Sequence, residues 1–216
     1  MLSRVLTRVI LPFALLAAAM IGLGLLVTHV LVHVWPLTLE GQANQALAAA
    51  RTPTWNRVSD LVSQTAYIPG LTIAMVVAGF AMRIAYHRWR EFLFLAAALV
   101  SEHMVYWLTA SVVARARPSV PQLDTFPPMR SFPSGHVAAA IAVYCGIALV
   151  FAMHATRKWV AVLWWVILLA FPVAVAFSRV YRGEHNPSDV AASFVLGFGC
   201  LWILRRAMLT PDGQRG

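Results

Sequence analysis

A proline, a serine, a glycine and a histidine stand directly before a long apolar run, as Pro133-Ser134-Gly135-His136. At the start of a helix, free backbone N–H groups and the positive end of the helix dipole attract anions. We therefore predict that Ser134 and Gly135 begin a helix and form a cradle for a tetrahedral oxyanion such as phosphate. His136 would lie at the depth where that anion rests.

Two arginines and a second histidine extend this predicted anion site. Arg117 and Arg179 carry planar, forked donors that suit a phosphate group. His185 and Asp189 are four residues apart, so they would share one face of a helix that begins there. Asp189 could then hold one ring nitrogen of His185 and leave the other free to attack phosphorus. Two histidines and a carboxylate could also bind a metal, but two arginines directed at one point argue against a cation, so no metal site is predicted.

The chain around these residues is strongly apolar. It has 216 residues, of which 60% are hydrophobic and 12% are charged, and its mean hydropathy is +0.72. A water-soluble domain of this size could not bury so much apolar surface in one core, so the composition predicts a polytopic membrane protein. The formal charge of +9 does not indicate a nucleic-acid partner, because the basic residues cluster at the ends of apolar runs, where they contact lipid headgroups.

Six apolar runs approach the length of about 20 residues that a helix needs to span a bilayer. The sequence therefore predicts an all-α fold, with six transmembrane helices in one bundle that forms a single domain over 1–216. Between the first two runs, helical periodicity and the pair Thr52-Pro53 predict short extracytoplasmic surface helices, with Thr52 as the N-cap. The predicted spans are 9–34, 67–86, 92–113, 136–153, 159–177 and 190–209.

The distribution of Lys and Arg predicts the orientation in the membrane. The two termini and the even-numbered loops carry more of these residues than the odd-numbered loops do. Because cytoplasmic segments are enriched in Lys and Arg, both termini are expected in the cytoplasm. The odd-numbered loops, which hold the residues of the predicted anion site, would then lie at the extracytoplasmic face of the cell membrane.

The order and spacing of these motifs resemble the signature of the type 2 phosphatidic acid phosphatase (PAP2) superfamily, in particular its membrane lipid phosphatase branch. That signature consists of Lys-x6-Arg-Pro, then Pro-Ser-Gly-His, then Ser-Arg-x5-His-x3-Asp. The second part matches at 133–136 and the third from Ser178 to Asp189. The first part is incomplete: Arg117-Pro118 is present, but Ala110 stands where the family usually has lysine. The motif-bearing part of the chain is about 92–209.

The resemblance implies metal-independent hydrolysis of a lipid phosphate or diphosphate through a phosphohistidine, with no cofactor. It implies that His185 is the nucleophile and that Asp189 orients it. His136 would protonate the leaving oxygen and then activate water. The residues implied to bind the phosphoryl group are Arg117, Ser134, Gly135 and Arg179.

Neither the lipid nor the acceptor of the phosphoryl group is fixed by the sequence. Candidate substrates are polyprenyl phosphates and diphosphates, phosphatidylglycerol phosphate and phosphatidic acid. A lipid phosphotransferase would use the same intermediate but pass the group to another lipid instead of water. A catalytically impaired lipid-binding protein is the third alternative, because the motif lysine is missing. Membrane lipids are the expected partners, and the oligomeric state is left open.

An active enzyme would need another cation in place of the missing lysine. Arg130 is the preferred surrogate, because it lies four residues before Ser134 in a loop that could fold over the cradle. Arg182, between Arg179 and His185, is its competitor. Arg115 is the weaker candidate, because in a continuing helix it would point to another face than Arg117.

Overall fold

The structure is a computed structural model that describes residues 5–124 and 130–210. Within these residues it is helical, with no β-strand. Six helices are long and apolar enough to span a membrane, and two shorter helices connect the first spanning helix to the second. In chain order the helices are α1 (Leu6–His33), α2 (Glu40–Ala49), α3 (Pro53–Gln64), α4 (Ile68–Tyr86), α5 (Arg90–Val113), α6 (Gly135–His154), α7 (Lys158–Tyr181) and α8 (Pro187–Leu209).

The predicted all-α fold with six spanning helices is confirmed, but two helix boundaries differ near the predicted site. The fifth span was expected to end at residue 177, whereas α7 continues to Tyr181 and carries Ser178 and Arg179 near its end. The sixth span was expected to begin at residue 190, whereas α8 begins at Pro187. Hydropathy marks only the apolar part of a helix, while the helical backbone continues into the polar membrane interface.

Helix α6 is the central helix of the bundle. About 72% of its apolar window is buried inside the protein, compared with 17% for α7. Its neighbour α8 approaches closely at Gly197, where an added Cβ would lie 2.7 Å from the Cβ of Ile141. Small residues at such contacts allow helices to pack closely in membranes. The segment that begins with Gly135 and His136 is therefore held by packing on several sides.

The short helix α3 supports the end of α7. It begins as predicted, with Pro53 in the first position and the Thr52 hydroxyl accepting a hydrogen bond from Trp55 N–H at 3.2 Å. Ser178 Oγ, in the last turns of α7, donates to the carbonyl oxygen of Ser59 at 2.7 Å. Because both serines are buried, this hydrogen bond fixes α3 against the end of α7 that carries Arg179.

Candidate active site

A tight turn between α7 and α8 presents His185. Gly183 adopts a left-handed conformation with φ of 80°, which residues with a Cβ rarely adopt. Gly183 N–H donates to the carbonyl oxygen of Val180, and Glu184 N–H donates to that of Arg179, both at 3.0 Å. This pattern is a Schellman helix end. The turn brings Glu184 and His185 back against the end of α7, beside Arg179.

The ring of His185 is oriented by a backbone carbonyl. Its Nδ1 lies 2.7 Å from the carbonyl oxygen of Ser131, and because a carbonyl only accepts, Nδ1 must carry the proton. The neutral ring therefore keeps an unprotonated Nε2. Burial, and then the positive charge of Arg179, lower the pKa of His185 well below its ordinary value, although the hydrogen bond to Ser131 opposes this shift. These observations favour a neutral imidazole at His185, with the proton on Nδ1 and none on Nε2.

The predicted hydrogen bond between Asp189 and His185 is not made, and this part of the prediction is wrong. Because α8 begins at Pro187, His185 precedes the helix and shares no helical face with Asp189. Asp189 instead closes a capping box, in which its Oδ2 accepts the N–H of Asn186 at 2.7 Å. Oδ2 also accepts the hydroxyl of Ser131, whose carbonyl binds His185. Asp189 therefore acts on the His185 ring through Ser131.

Arg115 connects Asp189 to the short helix α2. Helix α5 ends at Val113, so Arg115 is not placed by a continuing helical face as expected. Its guanidinium donates to the Asp189 carboxylate, to Ser188 Oγ at 2.7 Å and to Glu40 Oε2 at 2.9 Å. Glu40 Oε1 in turn accepts the N–H of Ser188 at 2.6 Å. The first turn of α8 is thus fixed to α2 by a buried ionic network.

The Pro-Ser-Gly-His segment begins α6 as predicted, with Ser134 as the N-cap and Gly135 as the first helical residue. The expectation that Ser134 offers a free amide is wrong, because its N–H donates to Ser193 Oγ at 2.8 Å. The hydroxyl of Ser134 is buried and has no hydrogen-bond partner within the described residues. His136 is half-buried, and its ring lies edge-on to Tyr67 with 4.8 Å between centroids. The serine hydroxyl is thus a buried polar group that the described residues leave unpaired.

The two motif arginines lie close together and are paired with carboxylates. Arg117 forms an ion pair with Glu184. Arg179 is only 1% exposed and donates from Nη1 to Ser63 Oγ at 2.8 Å and to Asp124 Oδ2 at 2.6 Å. Burial, and then the charge of Arg179, lower the pKa of Arg117. Besides burial, both guanidinium groups also lower the pKa of His185, so they lie near its ring.

The two predicted lysine surrogates lie in different places. Arg130 is exposed and donates to carbonyl oxygens at the end of α5, among them that of Ala110 at 2.7 Å. Arg182 is buried and donates from Nε to Asp124 Oδ1 at 2.7 Å, so it shares Asp124 with Arg179. Burial alone raises the pKa of Asp124, but the hydrogen bonds and charges of these two arginines outweigh it and lower that pKa. Arg182, and not Arg130, belongs to the arginine cluster.

A cavity of about 470 Å³ adjoins Arg117 on the side of α1 and α2. Its polar wall includes Arg115, Glu40, Asn44 and Asn186, and the Asn44 amide donates to Asn186 Oδ1 at 2.9 Å. This volume lies in the range of small-molecule sites. The cavity therefore extends from α2 to the motif residue Arg117.

Within residues 5–124 and 130–210, no three His, Cys, Asp or Glu side chains are arranged to hold a metal ion.

Fold and site together define an integral membrane protein of six spanning helices, with a buried neutral histidine among arginines at one end of the bundle. The family model of the PAP2 superfamily matches residues 90–211. The chain belongs to the PAP2 superfamily. Its structure is similar to the crystal structure of a transmembrane PAP2-type phosphatidylglycerolphosphate phosphatase from Bacillus subtilis, with a TM-score of 0.76 and 24% identity over 95% of this chain and 96% of that chain.

Several residues around His185 were missed by sequence reasoning. Ser131 and Glu40 contact the start of α8 from 58 and 148 residues away in sequence, and no local pattern announces such contacts. Asp124 follows a stretch without helical periodicity, so nothing marked it as the partner of two arginines. Glu184 is the exception, because an acidic residue directly before His185 is unusual in a site for an anion and is visible in the sequence.

Proposed function

We propose that this protein is a membrane phosphatase that hydrolyses a lipid phosphate or diphosphate through a phosphohistidine at the extracytoplasmic face. The observation that carries the proposal is the fixed tautomer of His185, whose Nδ1–H donates to Ser131 and whose Nε2 is unprotonated. A neutral imidazole beside Arg179 and Arg117 is equipped to attack an anionic phosphorus centre. Membership of the PAP2 superfamily supports the same chemistry.

In the proposed reaction, Nε2 of His185 forms a bond to phosphorus while the bond from phosphorus to the lipid oxygen breaks. His136 gives its proton to that leaving oxygen. In the second step His136 takes a proton from water, whose oxygen attacks phosphorus and breaks the bond to Nε2. Arg117, Arg179 and the free hydroxyl of Ser134 would neutralise charge on the phosphoryl oxygens. These two roles require the nucleophile and the proton donor to lie on opposite sides of the phosphoryl group.

Exposure of the basic residues supports the proposed orientation. Most arginines at the site end of the bundle are bound to buried partners, so they do not act as simple topology signals. Cytoplasmic segments of membrane proteins are enriched in Lys and Arg, which favours the site end as extracytoplasmic. The exposed basic residues described at the far end are Arg8, Arg88, Arg157, Lys158, Arg205 and Arg206, whereas those at the site end are Arg57 and Arg130.

The cavity beside Arg117 supports a lipid substrate whose headgroup enters between α1 and α2. Its lining includes Arg117, which would bind phosphate, and the apolar Val32 and Leu37. A phosphorylated headgroup with an aliphatic tail matches a lining that has both charged and apolar residues. Phosphatidylglycerol phosphate, the substrate named for the structurally similar Bacillus subtilis protein, heads the candidates, followed by polyprenyl diphosphate and phosphatidic acid.

The test is phosphate release by the purified protein from a panel of these lipids, without added metal. We expect turnover with at least one lipid and none in His185→Ala. His154→Ala is the matched control, because His154 lies at the opposite end of the bundle and is hydrogen-bonded to Val150. Transfer of labelled phosphate between two lipids, without release, would identify a phosphotransferase. Full activity of His185→Ala would exclude the proposed mechanism.

A further inference from the structure

The carboxylate of Glu184 lies between the two motif arginines. One of its oxygens, Oε2, pairs with Arg117 and lies 3.7 Å from Nη2 of Arg179. The other oxygen, Oε1, accepts the backbone N–H of Asp124 at 3.2 Å. The side chain is fully buried, so water does not screen these charges. The Glu184 carboxylate therefore lies where Arg117 and Arg179, the two arginines proposed to bind phosphate, come together.

The position of Glu184 follows from the turn that presents His185. In the Schellman helix end, the N–H of Glu184 donates to the carbonyl oxygen of Arg179 at 3.0 Å. This hydrogen bond places Glu184 beside Arg179. Gly183 allows this turn because its φ is 80°. Glu184 is also the direct neighbour of His185 in the chain. The backbone that places the histidine thus places a carboxylate against the arginines.

A phosphoryl group and the Glu184 carboxylate need the same donors. Arg179 commits Nη1 to Ser63 and Asp124, which leaves its Nη2 side facing Glu184. Asp124 already pairs with Arg179, and Glu184 pairs with Arg117 and faces Arg179. A phosphoryl group added beside both carboxylates would meet strong repulsion. A phosphoryl group that reaches both Arg117 and Arg179 must therefore displace the carboxylate of Glu184.

We propose that Glu184 is a specificity-determining residue, an internal anion that competes with phosphate for Arg117 and Arg179. This inference rests on the proposed phosphatase function. A lipid phosphate can offset the displacement of Glu184 through additional contacts of its headgroup and tail, whereas inorganic phosphate has only its oxygens. Glu184 thereby weakens the binding of the free phosphate product and favours its release.

The test compares the binding of inorganic phosphate and of orthovanadate, a tetrahedral phosphate analogue, by the parent protein and Glu184→Gln. The glutamine keeps the size of the side chain but removes its charge, so we expect both anions to bind at least about tenfold more tightly, since one charge-assisted contact no longer competes. Glu91→Gln is the matched control: Glu91 is equally buried but pairs with Arg88 near the start of α5, and its removal is expected to change neither dissociation constant.

Unchanged or weaker anion binding by Glu184→Gln overturns the proposal, because it would mean that Glu184 orients the arginines and does not compete with phosphate. Glu184→Asp is the second variant, which retains the charge and shortens the side chain. If Glu184→Gln does not fold, tighter binding of both anions by Glu184→Asp supports competition, and equal or weaker binding contradicts it.

The binding measurement separates this inference from the proposed function. A ligand that binds only the folded state raises the midpoint of thermal unfolding, so dissociation constants follow from that shift without any turnover. Absence of phosphate release from every lipid would contradict the phosphatase function alone. An anion affinity that does not rise in the Glu184 variants would contradict the competition alone.

Discussion

Replacement of Arg115 by glutamine tests the network that holds the first turn of α8. Arg115 is 7% exposed and binds the carboxylates of Asp189 and Glu40 as well as Ser188. Its removal leaves two buried carboxylates without their shared cation. Loss of one partner from a buried ion pair typically costs about 3 to 5 kcal/mol. At about 2 to 4 °C for each kcal/mol in a chain of this length, the unfolding midpoint should fall by roughly 6 °C or more.

The activity of Arg115→Gln should fall together with its stability, because Asp189 holds Ser131 and Ser131 holds the ring of His185. The assay is thermal unfolding in detergent, followed by turnover at a temperature where the variant is folded. Arg57→Gln is the matched control, since Arg57 is exposed. Asp189→Asn combined with Arg115→Gln should lose less stability than the two single changes predict together. An Arg115→Gln protein with the unfolding midpoint and turnover of the parent would refute the network.

Three further predictions concern pH, the arginine cluster and sidedness. Because the pKa of His185 lies well below its ordinary value, kcat/KM should not decline as pH falls through about 6.5. Below about pH 6.5 the unfolded chain binds a proton at His185 that the folded chain does not, so the free energy of unfolding should decrease there. This decrease should be smaller in His185→Asn. An equal decrease in the parent and in His185→Asn would contradict the lowered pKa of His185. Arg182→Ala should raise KM or lower turnover by at least about tenfold, whereas Arg130→Ala should resemble the parent, and the reverse result would restore Arg130 as the surrogate. A cysteine at the exposed Ser119 should react with a membrane-impermeant thiol reagent in intact cells, and reaction only after permeabilisation would invert the topology.

Elements with strong local signals were predictable from the sequence. Runs of apolar residues predicted six spanning helices to within a few residues of their ends, and Thr52-Pro53 predicted the start of α3. The motif spacings predicted that His136, His185, Arg117 and Arg179 lie at the same end of the bundle. These features depend on neighbours in sequence or on helix length, which hydropathy and spacing report directly.

The side-chain contacts of the site were less predictable. The expected pair of His185 and Asp189 assumed that both lie on one helix, but the proline at 187 starts α8 after the histidine. The choice of Arg130 over Arg182 rested on distance along the chain. Arg130 instead caps α5, while the Schellman turn carries Arg182 toward Asp124. Such choices depend on where each helix ends and on partners far away in sequence.

The proposed phosphohistidine is tested most directly by covalent labelling with a lipid carrying radioactive phosphate, quenched in alkali, where phosphohistidine is stable. We expect label on the peptide that contains His185, no label in His185→Ala, and slower formation and slower loss of the label in His136→Ala, because His136 serves both steps. Label that persists in His185→Ala, or turnover without any labelled protein in either the parent or His136→Ala, would contradict it.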